Sequence, residues 1–288
     1  PTSRTERMRI VHTVVELRAA IAAWHAAGER VAFVPTMGNL HAGHYSLVAL
    51  GRAQATRVLA SVFVNPTQFG PSEDYARYPR TLEADAAGLA AHGCDLLYAP
   101  TVEEMYPYGV EAAVRMHVPR LGDTLCGAFR PGHFDGVATV VTRLLSMAQA
   151  DLAIFGQKDY QQALVIRHLA RDLALPGTIV VGPTVRESNG LAMSSRNQYL
   201  SAAERERAGA IHATLRWIEA QVLAGVAPGT LEPQALARLE DAGLRPEYAA
   251  IRSAHDLSVP EPGRRQDLVA LIAARLGTAR LIDNLLIG

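Results

Sequence analysis

The sequence predicts an α/β fold in which a doubly wound parallel sheet is followed by a smaller α+β domain. Short apolar runs typical of buried strands alternate with segments of helical periodicity as far as Pro183. Most polar clusters come directly after the strands, at the sheet edge where open α/β folds bind their ligands. After Pro183 the pattern changes to helices followed by strand-like segments. We therefore expect a first domain over residues 1–184 and a second over 185–288.

The first elements follow from apolar spacing. Apolar residues on one helical face predict a helix over Thr13–Ala27. The β-prone run Val31–Val34 predicts a strand that Pro35 ends, and helical spacing resumes at Tyr45. The run Arg57–Val64 is largely apolar on both faces, as expected for a buried parallel strand.

The rest of the first domain continues this alternation. Asp74–Thr81 is predicted as a loop, and the alternating run Glu111–Val118 as an edge strand. A polar, glycine-bearing loop, Leu125–Gly136, leads into the next helix. The remaining predicted elements are helices over Leu82–His92, Val137–Gln149 and Gly156–Leu173, and strands over Asp95–Tyr98, Leu152–Phe155 and Thr178–Val181.

The second domain combines helices with antiparallel strands. Long amphipathic segments predict one helix over Ser201–Leu223 and another over Leu231–Ala242. The predicted strands are Tyr248–Arg252, Leu268–Ala274 and Ala279–Asn284.

Composition excludes several classes of protein. The 288 residues are 49% hydrophobic and 19% charged, which suits a sizeable core rather than a disordered chain. The 28 basic residues balance the 28 acidic ones, so no general field attracts nucleic acid or an acidic membrane. No apolar run reaches the roughly 18 to 20 residues of a membrane span, and the two cysteines give no disulfide framework. We expect a cytoplasmic protein without nucleic-acid or membrane partners that binds anions through local groups.

Two histidines mark the strand-to-helix joint Pro35–His44. His41 and His44 are three positions apart in the first helical turn and would point the same way. Helix N-termini bind phosphate, and imidazoles donate hydrogen bonds to phosphoryl oxygens, so the joint favours a phosphate site. An alternative is that the two histidines are a capping pair on an exposed turn. Two zinc ligands are a further alternative, although no other ligands lie nearby in the sequence.

Further polar clusters follow other predicted strands. Lys158 is a mobile cation suited to phosphate, whereas Asp159 would contact a ribose hydroxyl, help to hold Mg²⁺ or cap its helix. Gln68 and Gln162 would recognise hydroxyl and carboxylate groups, or be surface residues. Three further clusters have simple alternatives. Asn65 would also suit a turn, Arg130 with His133 a loop ion pair, and Ser194 to Arg196 a domain linker. Their placement after successive strands favours the functional interpretation.

The reaction class follows from what these clusters contain. No GxSxG motif, Walker A loop or GxGxxG fingerprint occurs in the sequence. Cations, imidazoles and amides suit in-line displacement at phosphorus, in which catalysis is positioning plus charge stabilisation.

The motifs as a set resemble the pantothenate synthetase (pantoate–β-alanine ligase) family. The matching segments are Pro35–His44, Phe63–Gly70, Tyr78–Thr81, Arg130–Phe134, Phe155–Gln162, Gly190–Leu200 and Ala274–Asn284. The resemblance implies a Rossmann-like fold of the nucleotidylyltransferase superfamily with a C-terminal lid domain. It also implies a homodimer that uses ATP and Mg²⁺ to condense pantoate with β-alanine through pantoyl adenylate.

The resemblance further implies a role for individual residues. Catalysis would depend on His41, His44, Lys158 and Arg196. The ATP site would comprise Met37, Gly38, Asn39, Leu40, His41, Ala42, Gly43, His44, Gly156, Gln157, Lys158, Asp159, Val185, Met193, Ser194, Ser195 and Arg196. Pantoate and β-alanine would contact Gln68 and Gln162, together with Asn65, Arg130 and His133. No metal ligand is assigned.

Two positions depart from the family pattern. Gln157 stands where Glu is usual, and Ala42 stands where an acidic residue is common. Both remove a negative charge near the expected phosphates.

A nucleotidyltransferase of the same superfamily, acting on a phosphorylated acceptor, is an alternative function. A non-catalytic nucleotide-binding protein is another, and the presence of His44, Lys158 and Arg196 argues against it.

Overall fold

The computed structural model describes residues 8–70 and 75–288. Its strands are β1 (Arg9–Val11), β2 (Val31–Thr36), β3 (Arg57–Val62), β4 (Leu96–Tyr98), β5 (Leu152–Gly156), β6 (Thr178–Gly182), β7 (Arg245–Ser253), β8 (Leu268–Leu276) and β9 (Ala279–Ile287). Its α-helices are α1 (Val14–Ala26), α2 (Ala42–Gln54), α3 (Leu82–Ala91), α4 (Val102–Met105), α5 (Cys126–Phe129), α6 (His133–Ala148), α7 (Tyr160–Asp172), α8 (Ala202–Ala208), α9 (Ala210–Leu223) and α10 (Pro228–Asp241). Short 3₁₀ turns cover Pro66–Gln68, Tyr75–Arg77, Gln157–Asp159 and Ser195–Tyr199.

The predicted doubly wound parallel sheet is confirmed. Six strands pair in the order β1-β4-β3-β2-β5-β6, and every pair is parallel. From β2 the chain winds outward through β3 to β4, whereas β5 and β6 extend the sheet on the other side of β2. The switch point of the sheet therefore lies between β2 and β5. Open α/β sheets bind ligands at such a point, beyond the carboxyl ends of the strands.

The sheet is buried on both faces, which explains the continuous apolar runs of its strands. Val31 and Phe33 of β2 join the core beneath α1, α6 and α7. Ala32 and Val34 alternate with them and pack with residues of α2 and α3 on the other face. A strand buried on both sides needs apolar residues at every position, as parallel sheets do.

The smaller antiparallel sheet of the second domain is also confirmed. β7, β8 and β9 pair in that order. Leu268, Ala270 and Ile272 of β8 pack in one core with α9 and α10. Val269 and Leu271 alternate with them and join the core of the first domain. The second sheet thus connects its own helices to the first domain.

Pro35 does not end its strand, contrary to expectation. β2 continues to Thr36 and pairs with β3 through Pro35 and Thr36. The carbonyl of Thr36 accepts a hydrogen bond from the N–H of Phe63, which directly follows β3. Backbone polar groups of successive strand residues point to opposite sides, so those of Pro35 point towards β5. Pairing with β5 stops at Phe33. The missing N–H of proline therefore breaks no hydrogen bond of the sheet.

Other local predictions were wrong for identifiable reasons. Residues 111–118 form turns and irregular backbone rather than an edge strand, and the edges of the sheet are β1 and β6. β1, α4 and α5 were not predicted, because each is only three or four residues long. The helix predicted from Val137 begins at His133, after Gly132 in a left-handed conformation.

The long helix predicted over Ser201–Leu223 is divided into α8 and α9 at Gly209. The Asn189 side chain donates to the carbonyl of Arg205 at 2.9 Å, near the end of α8. A Cβ at position 209 would lie 2.8 Å from the Asn189 carbonyl oxygen, so glycine permits this close approach.

Three remaining observations concern other expectations from the sequence. Among the described residues, no helix has the length and apolar character that a bilayer span requires. Cys94 and Cys126 are both free and buried. The loop predicted for Asp74–Thr81 begins at a residue outside the described ranges, and the rest of it contains the 3₁₀ turn Tyr75–Arg77.

Candidate active site

A cavity opens at the carboxyl edge of the sheet, at the switch point between β2 and β5. α2 begins after β2, and the turn Gln157–Asp159 follows β5, so both segments face the same opening. The cavity has an empty volume of about 1220 Å³, including the part open to solvent. This is enough for a nucleotide together with a small organic acid. The predicted residues that line it are Met37, His41, Gly43, His44, Asn65, Gln68, Gly156, Lys158, Asp159, Gln162, Val185, Met193, Ser194, Ser195 and Arg196.

The two histidines cap the N-terminus of α2 with one ring nitrogen each. His41 Nδ1 accepts a hydrogen bond from the backbone N–H of Gly43 at 3.1 Å. His44 Nδ1 accepts from the backbone N–H of His41 at 3.3 Å. A nitrogen that accepts from N–H carries no proton, so each neutral ring holds its proton on Nε2. Two Nε2–H donors therefore belong to the cavity wall.

Both rings are uncharged near neutral pH. Burial, with a smaller contribution from the neighbouring His41, lowers the pKa of His44 to about 3. Burial, with a smaller contribution from Lys158, lowers the pKa of His41 to about 4. The capping alternative is thus half correct, because the pair does cap the helix but lies in a cavity wall. Within the described part of the chain, no cluster of three His, Cys, Asp or Glu residues supports the zinc alternative.

Asp85 shapes the loop that precedes the two histidines. Its buried carboxylate accepts hydrogen bonds from the backbone N–H of Asn39 at 2.9 Å and of Leu40 at 2.8 Å. Thr81 Oγ1 donates to the same carboxylate at 3.0 Å. Gly38 has a φ of +81°, and a Cβ there would lie 2.9 Å from Asp85 Oδ2. The N–H groups of Asn39 and Leu40, two residues that the resemblance assigns to the ATP site, are therefore directed to Asp85.

The turn after β5 places a cation in the opposite wall. Lys158 Nζ lies 3.7 Å from Asp159 Oδ1, and the lysine side chain is only 19% exposed. Asp159 makes no side-chain capping hydrogen bond to α7, so the alternative that it merely caps this helix is wrong. Asn284 of β9 donates to the carbonyls of Gln157 at 2.8 Å and Lys158 at 2.9 Å. The second domain thereby holds the turn that carries the lysine.

Buried amides line the cavity below β3. Asn65 is 1% exposed, and its Nδ2 donates to Gln68 Oε1 and to the Gly136 carbonyl, both at 3.1 Å. Gln68 Nε2 lies 2.9 Å from Met37 Sδ. A Cβ at Gly136 would lie 2.2 Å from the Thr67 carbonyl oxygen, so only glycine lets α6 approach this turn.

Arg130 and His133 line a second, smaller cavity beside the first. Lys158, Asp159 and Gln162 line both cavities, so the two are adjacent. His133 Nδ1 lies 2.8 Å from the carbonyl oxygen of Gln68 and must donate to it. His133 Nε2 is then the acceptor for Arg130 Nη1 at 3.0 Å. His133 thus supports Gln68 through its backbone carbonyl, and Arg130 holds the other ring nitrogen of His133.

The segment after β6 completes the main cavity. A bridge between Arg186 and Ala192 forms a hairpin, and the N–H of Met193 donates to the carbonyl of Val185 at 2.9 Å. Arg186 makes a two-point ion pair with Asp283 of β9. Ser194 Oγ accepts from the N–H of Arg196 at 3.2 Å and caps the following 3₁₀ turn. The second domain thus also fixes the segment that carries Ser194 to Arg196.

Some predicted residues lie outside the main cavity. Gly38, Asn39, Leu40, Ala42 and Gln157 are not among its lining residues. Gln157 Nε2 instead lies 3.4 Å from Asn284 Oδ1, which is a neutral contact with the second domain.

Sequence reasoning missed several residues that build the site. Asp85, Asn284 and Gly136 act on the backbone or on side chains from distant segments. Asn284 belongs to Ala274–Asn284, a segment that matched the family pattern, whereas no local motif signals the contacts of Asp85 and Gly136. Tyr78 and Thr184 also line the cavity. Tyr78 belongs to a segment that matched the family pattern, and this was the available signal.

The chain is similar to known proteins over nearly its whole length. A family model described as pantoate-beta-alanine ligase matches residues 9–286. The pantothenate synthetase of Thioalkalivibrio sulfidiphilus is 55% identical over 279 residues, which are 96% of this chain and 97% of that protein. The pantothenate synthetase of Pseudomonas aeruginosa is 56% identical over 279 residues, with 96% and 98% covered.

Solved structures give the same result. Pantothenate synthetase from Thermus thermophilus matches with a TM-score of 0.87 and 48% identity, covering 96% of this chain and 99% of that chain. Pantoate-beta-alanine ligase from Francisella tularensis, described as complexed with beta-gamma ATP and beta-alanine, matches with a TM-score of 0.81 and 31% identity. That match covers 97% of each chain.

Proposed function

The chain belongs to the pantoate-beta-alanine ligase family, and on this premise we propose how its cavity carries out the ATP-dependent formation of pantothenate. In the first step a carboxylate oxygen of pantoate attacks the α-phosphorus of ATP, and the bond to the bridging oxygen breaks to release pyrophosphate. In the second step the amine of β-alanine attacks the acyl carbon of pantoyl adenylate. AMP leaves with the electron pair of the carbon–oxygen bond, and the nitrogen loses a proton.

The observation that carries the proposal is the meeting of two uncharged imidazole donors and a lysine at the switch point. His41, His44 and Lys158 come from segments after neighbouring strands and line one cavity. Negative charge moves onto pyrophosphate during adenylation, and fixed donors and cations stabilise it without reorganising. With their lowered pKa values, His44 and His41 act as hydrogen-bond donors rather than as imidazolium acids.

The nucleotide would lie between α2 and the segment after β6. Lys158, Ser194, Ser195 and Arg196 would contact its phosphates, because they supply cations and hydroxyls to the same cavity. Met37 to His44, Gly156 to Asp159, Val185 and Met193 would complete the site. Within this set, Gly38 to Leu40 would act through the loop that Asp85 supports.

The acid and the amine would bind on the β3 side of the cavity. Gln68 would contact pantoate and β-alanine, and Gln162 would contact pantoate, since neutral amides recognise oxygen groups without fixing a charge. The donors of Asn65 are already engaged, so Asn65 would act through Gln68. Arg130 and His133 would support the same region from the adjacent cavity.

Magnesium would enter with the nucleotide. Mg²⁺ is commonly held by one or two carboxylates together with substrate phosphates. Asp159 is the carboxylate that lines the cavity among the described residues, which fits that arrangement. Bound there, the ion would neutralise charge on the phosphates.

Domain organisation and assembly complete the proposal. The boundary would lie between residues 184 and 185, and the contacts of Arg186 with Asp283 support assigning the hairpin to the second domain. That domain would act as a lid that closes over the nucleotide and keeps water from the acyl adenylate. The enzyme would be cytoplasmic, as expected from its composition, and a homodimer, as the family resemblance implies.

The decisive experiment is pantoate-dependent exchange of labelled pyrophosphate into ATP with β-alanine omitted. Exchange is expected, because the adenylation step is reversible and needs no amine. Its absence from folded protein that binds ATP would contradict the proposed adenylation. Exchange that depends on a phosphorylated acceptor instead of pantoate would favour a nucleotidyltransferase.

A further inference from the structure

Tyr106 is a buried tyrosine whose hydroxyl contacts Asn65, on the side of the cavity where the acid is proposed to bind. It is 2% exposed, and its ring packs near Phe63 and beneath the guanidinium of Arg143. Its hydroxyl donates to Asn65 Oδ1 at 2.6 Å. Burial raises the pKa of Tyr106, so the hydroxyl keeps its proton and remains a donor. Tyr106 itself does not line the cavity.

Asn65 has a single possible amide orientation. Its Oδ1 also accepts from the backbone N–H of Thr67 at 3.3 Å and from the Thr67 hydroxyl at 3.0 Å. Its Nδ2 donates to the Gly136 carbonyl and to Gln68 Oε1. A backbone N–H can only donate and a carbonyl can only accept, so the two ends of this amide cannot be exchanged.

The orientation of Asn65 determines that of Gln68. Because Asn65 Nδ2 occupies Gln68 Oε1, the Nε2 end of Gln68 is turned towards Met37, which also lines the cavity. The Met37 sulfur at 2.9 Å is a weak acceptor. An oxygen atom of a hydroxy acid would be a stronger acceptor for the same donors.

We infer that Tyr106 is a positioning residue for the acid substrate: together with the Thr67 donors, its hydroxyl holds Asn65 Oδ1 in place, and Asn65 in turn holds the Gln68 amide with N–H donors towards the oxygens of pantoate. The inference rests on the proposed contact between Gln68 and pantoate. Tyr106 does not line the cavity and acts through Gln68, so its effect falls on pantoate, and on β-alanine where Gln68 contacts it, but not on ATP.

Tyr106→Phe tests this role because it keeps the ring and its packing and removes only the hydroxyl. The KM for pantoate is expected to rise about three- to tenfold, which is the range for a lost buried hydrogen bond. The KM for ATP is expected to stay at the wild-type value. An unchanged KM for pantoate, or an equal rise in the KM of all three substrates, would overturn the inference.

Tyr98→Phe is the matched control. Tyr98 is fully buried in the same core, and its hydroxyl reaches the sulfur atoms of Met105 at 4.0 Å and Met147 at 3.8 Å. Loss of this hydroxyl should leave the KM for pantoate unchanged. A similar rise in both variants would show a general effect of removing a buried hydroxyl, and would contradict the specific role of Tyr106.

A double-mutant cycle tests whether Tyr106 acts through Gln68. In a Gln68→Ala background, Tyr106→Phe should cause no further change in the KM for pantoate. An undiminished effect in that background would contradict an action of Tyr106 through Gln68.

Gln68→Glu provides a test that leaves Tyr106 intact, because one carboxylate oxygen can still accept from Asn65 while the other faces the cavity as an acceptor. It should weaken pantoate binding more than Gln68→Ala does, and the reverse order would overturn the assigned orientation.

The wild-type exchange reaction separates this inference from the proposed function. If wild-type protein shows no pantoate-dependent exchange, the proposed function fails and the inference fails with it. If wild-type protein exchanges and Tyr106→Phe behaves like Tyr98→Phe, only the role of Tyr106 is contradicted.

Discussion

The side-chain amide of Asn284 donates to the backbone carbonyl of Lys158 at 2.9 Å, so the last strand of the second domain holds the turn that carries the cavity lysine. A second hydrogen bond joins Asn284 to the carbonyl of Gln157 at 2.8 Å. The position of a proposed phosphate ligand therefore depends on contact between the two domains. This contact also explains why Gln157 is compatible with the site, since its side chain approaches an amide rather than the phosphates.

We expect Asn284→Ala to raise the KM for ATP about tenfold, because two carbonyls lose their donors and the turn of Lys158 loosens. Steady-state kinetics at saturating pantoate and β-alanine measure this change. Gln234→Ala is a suitable control, since Gln234 donates to the carbonyl of Thr230 on the exposed face of α10 in the same domain. A wild-type KM for ATP in Asn284→Ala would contradict the role of this contact.

His44→Ala and Lys158→Ala should each lower the rate of adenylation by orders of magnitude without unfolding the protein. Each removes a donor or cation that acts on charge developing in the transition state. Pyrophosphate exchange measures the rate, and circular dichroism checks the fold. Turnover near the wild-type level in either variant would exclude the role assigned to that residue.

Asp85→Ala should destabilise the protein by about 2–4 kcal/mol, because two part-buried backbone N–H groups lose a buried carboxylate acceptor. Denaturant unfolding measures the change in the free energy of unfolding. Glu83→Gln on the exposed face of the same helix should change it by less than about 0.5 kcal/mol. Equal stability of the two variants would show that Asp85 does not support the histidine loop.

The low pKa values of the two histidines predict a loss of stability on acidification. The folded rings titrate near pH 3 and 4, whereas an unfolded histidine titrates near its ordinary value of 6.5. Between about pH 6.5 and 4 the unfolded chain binds more protons, so the free energy of unfolding falls as the pH falls. Each histidine contributes a slope of up to about 1.4 kcal/mol per pH unit in this window.

His44→Asn should make this acid dependence shallower, as measured by urea unfolding at a series of pH values. An unchanged slope in the variant would mean that His44 is not held neutral in the folded protein.

Much of the fold was predictable because strand burial leaves a local record. The run Arg57–Val64 is apolar at successive positions because the sheet is covered on both faces, and this pattern needs no knowledge of partners. Residues 111–118 show the limit of the method. Their alternation resembles a strand, but a strand also requires a neighbour to pair with, and these residues join neither β1 nor β6 at the two edges of the sheet.

The sequence by itself determined which polar residues follow the predicted strands and, through the resemblance, the family and its reaction. His41, His44, Gln68 and Lys158 could be found because strand ends and helix starts are local features. Only the tertiary structure decided how these side chains are oriented. Their orientation depends on Asp85, Tyr106 and Asn284, which lie on other segments of the chain. Hydrogen bonds between distant segments leave no periodic signal in the sequence, because each depends on folding to bring donor and acceptor together.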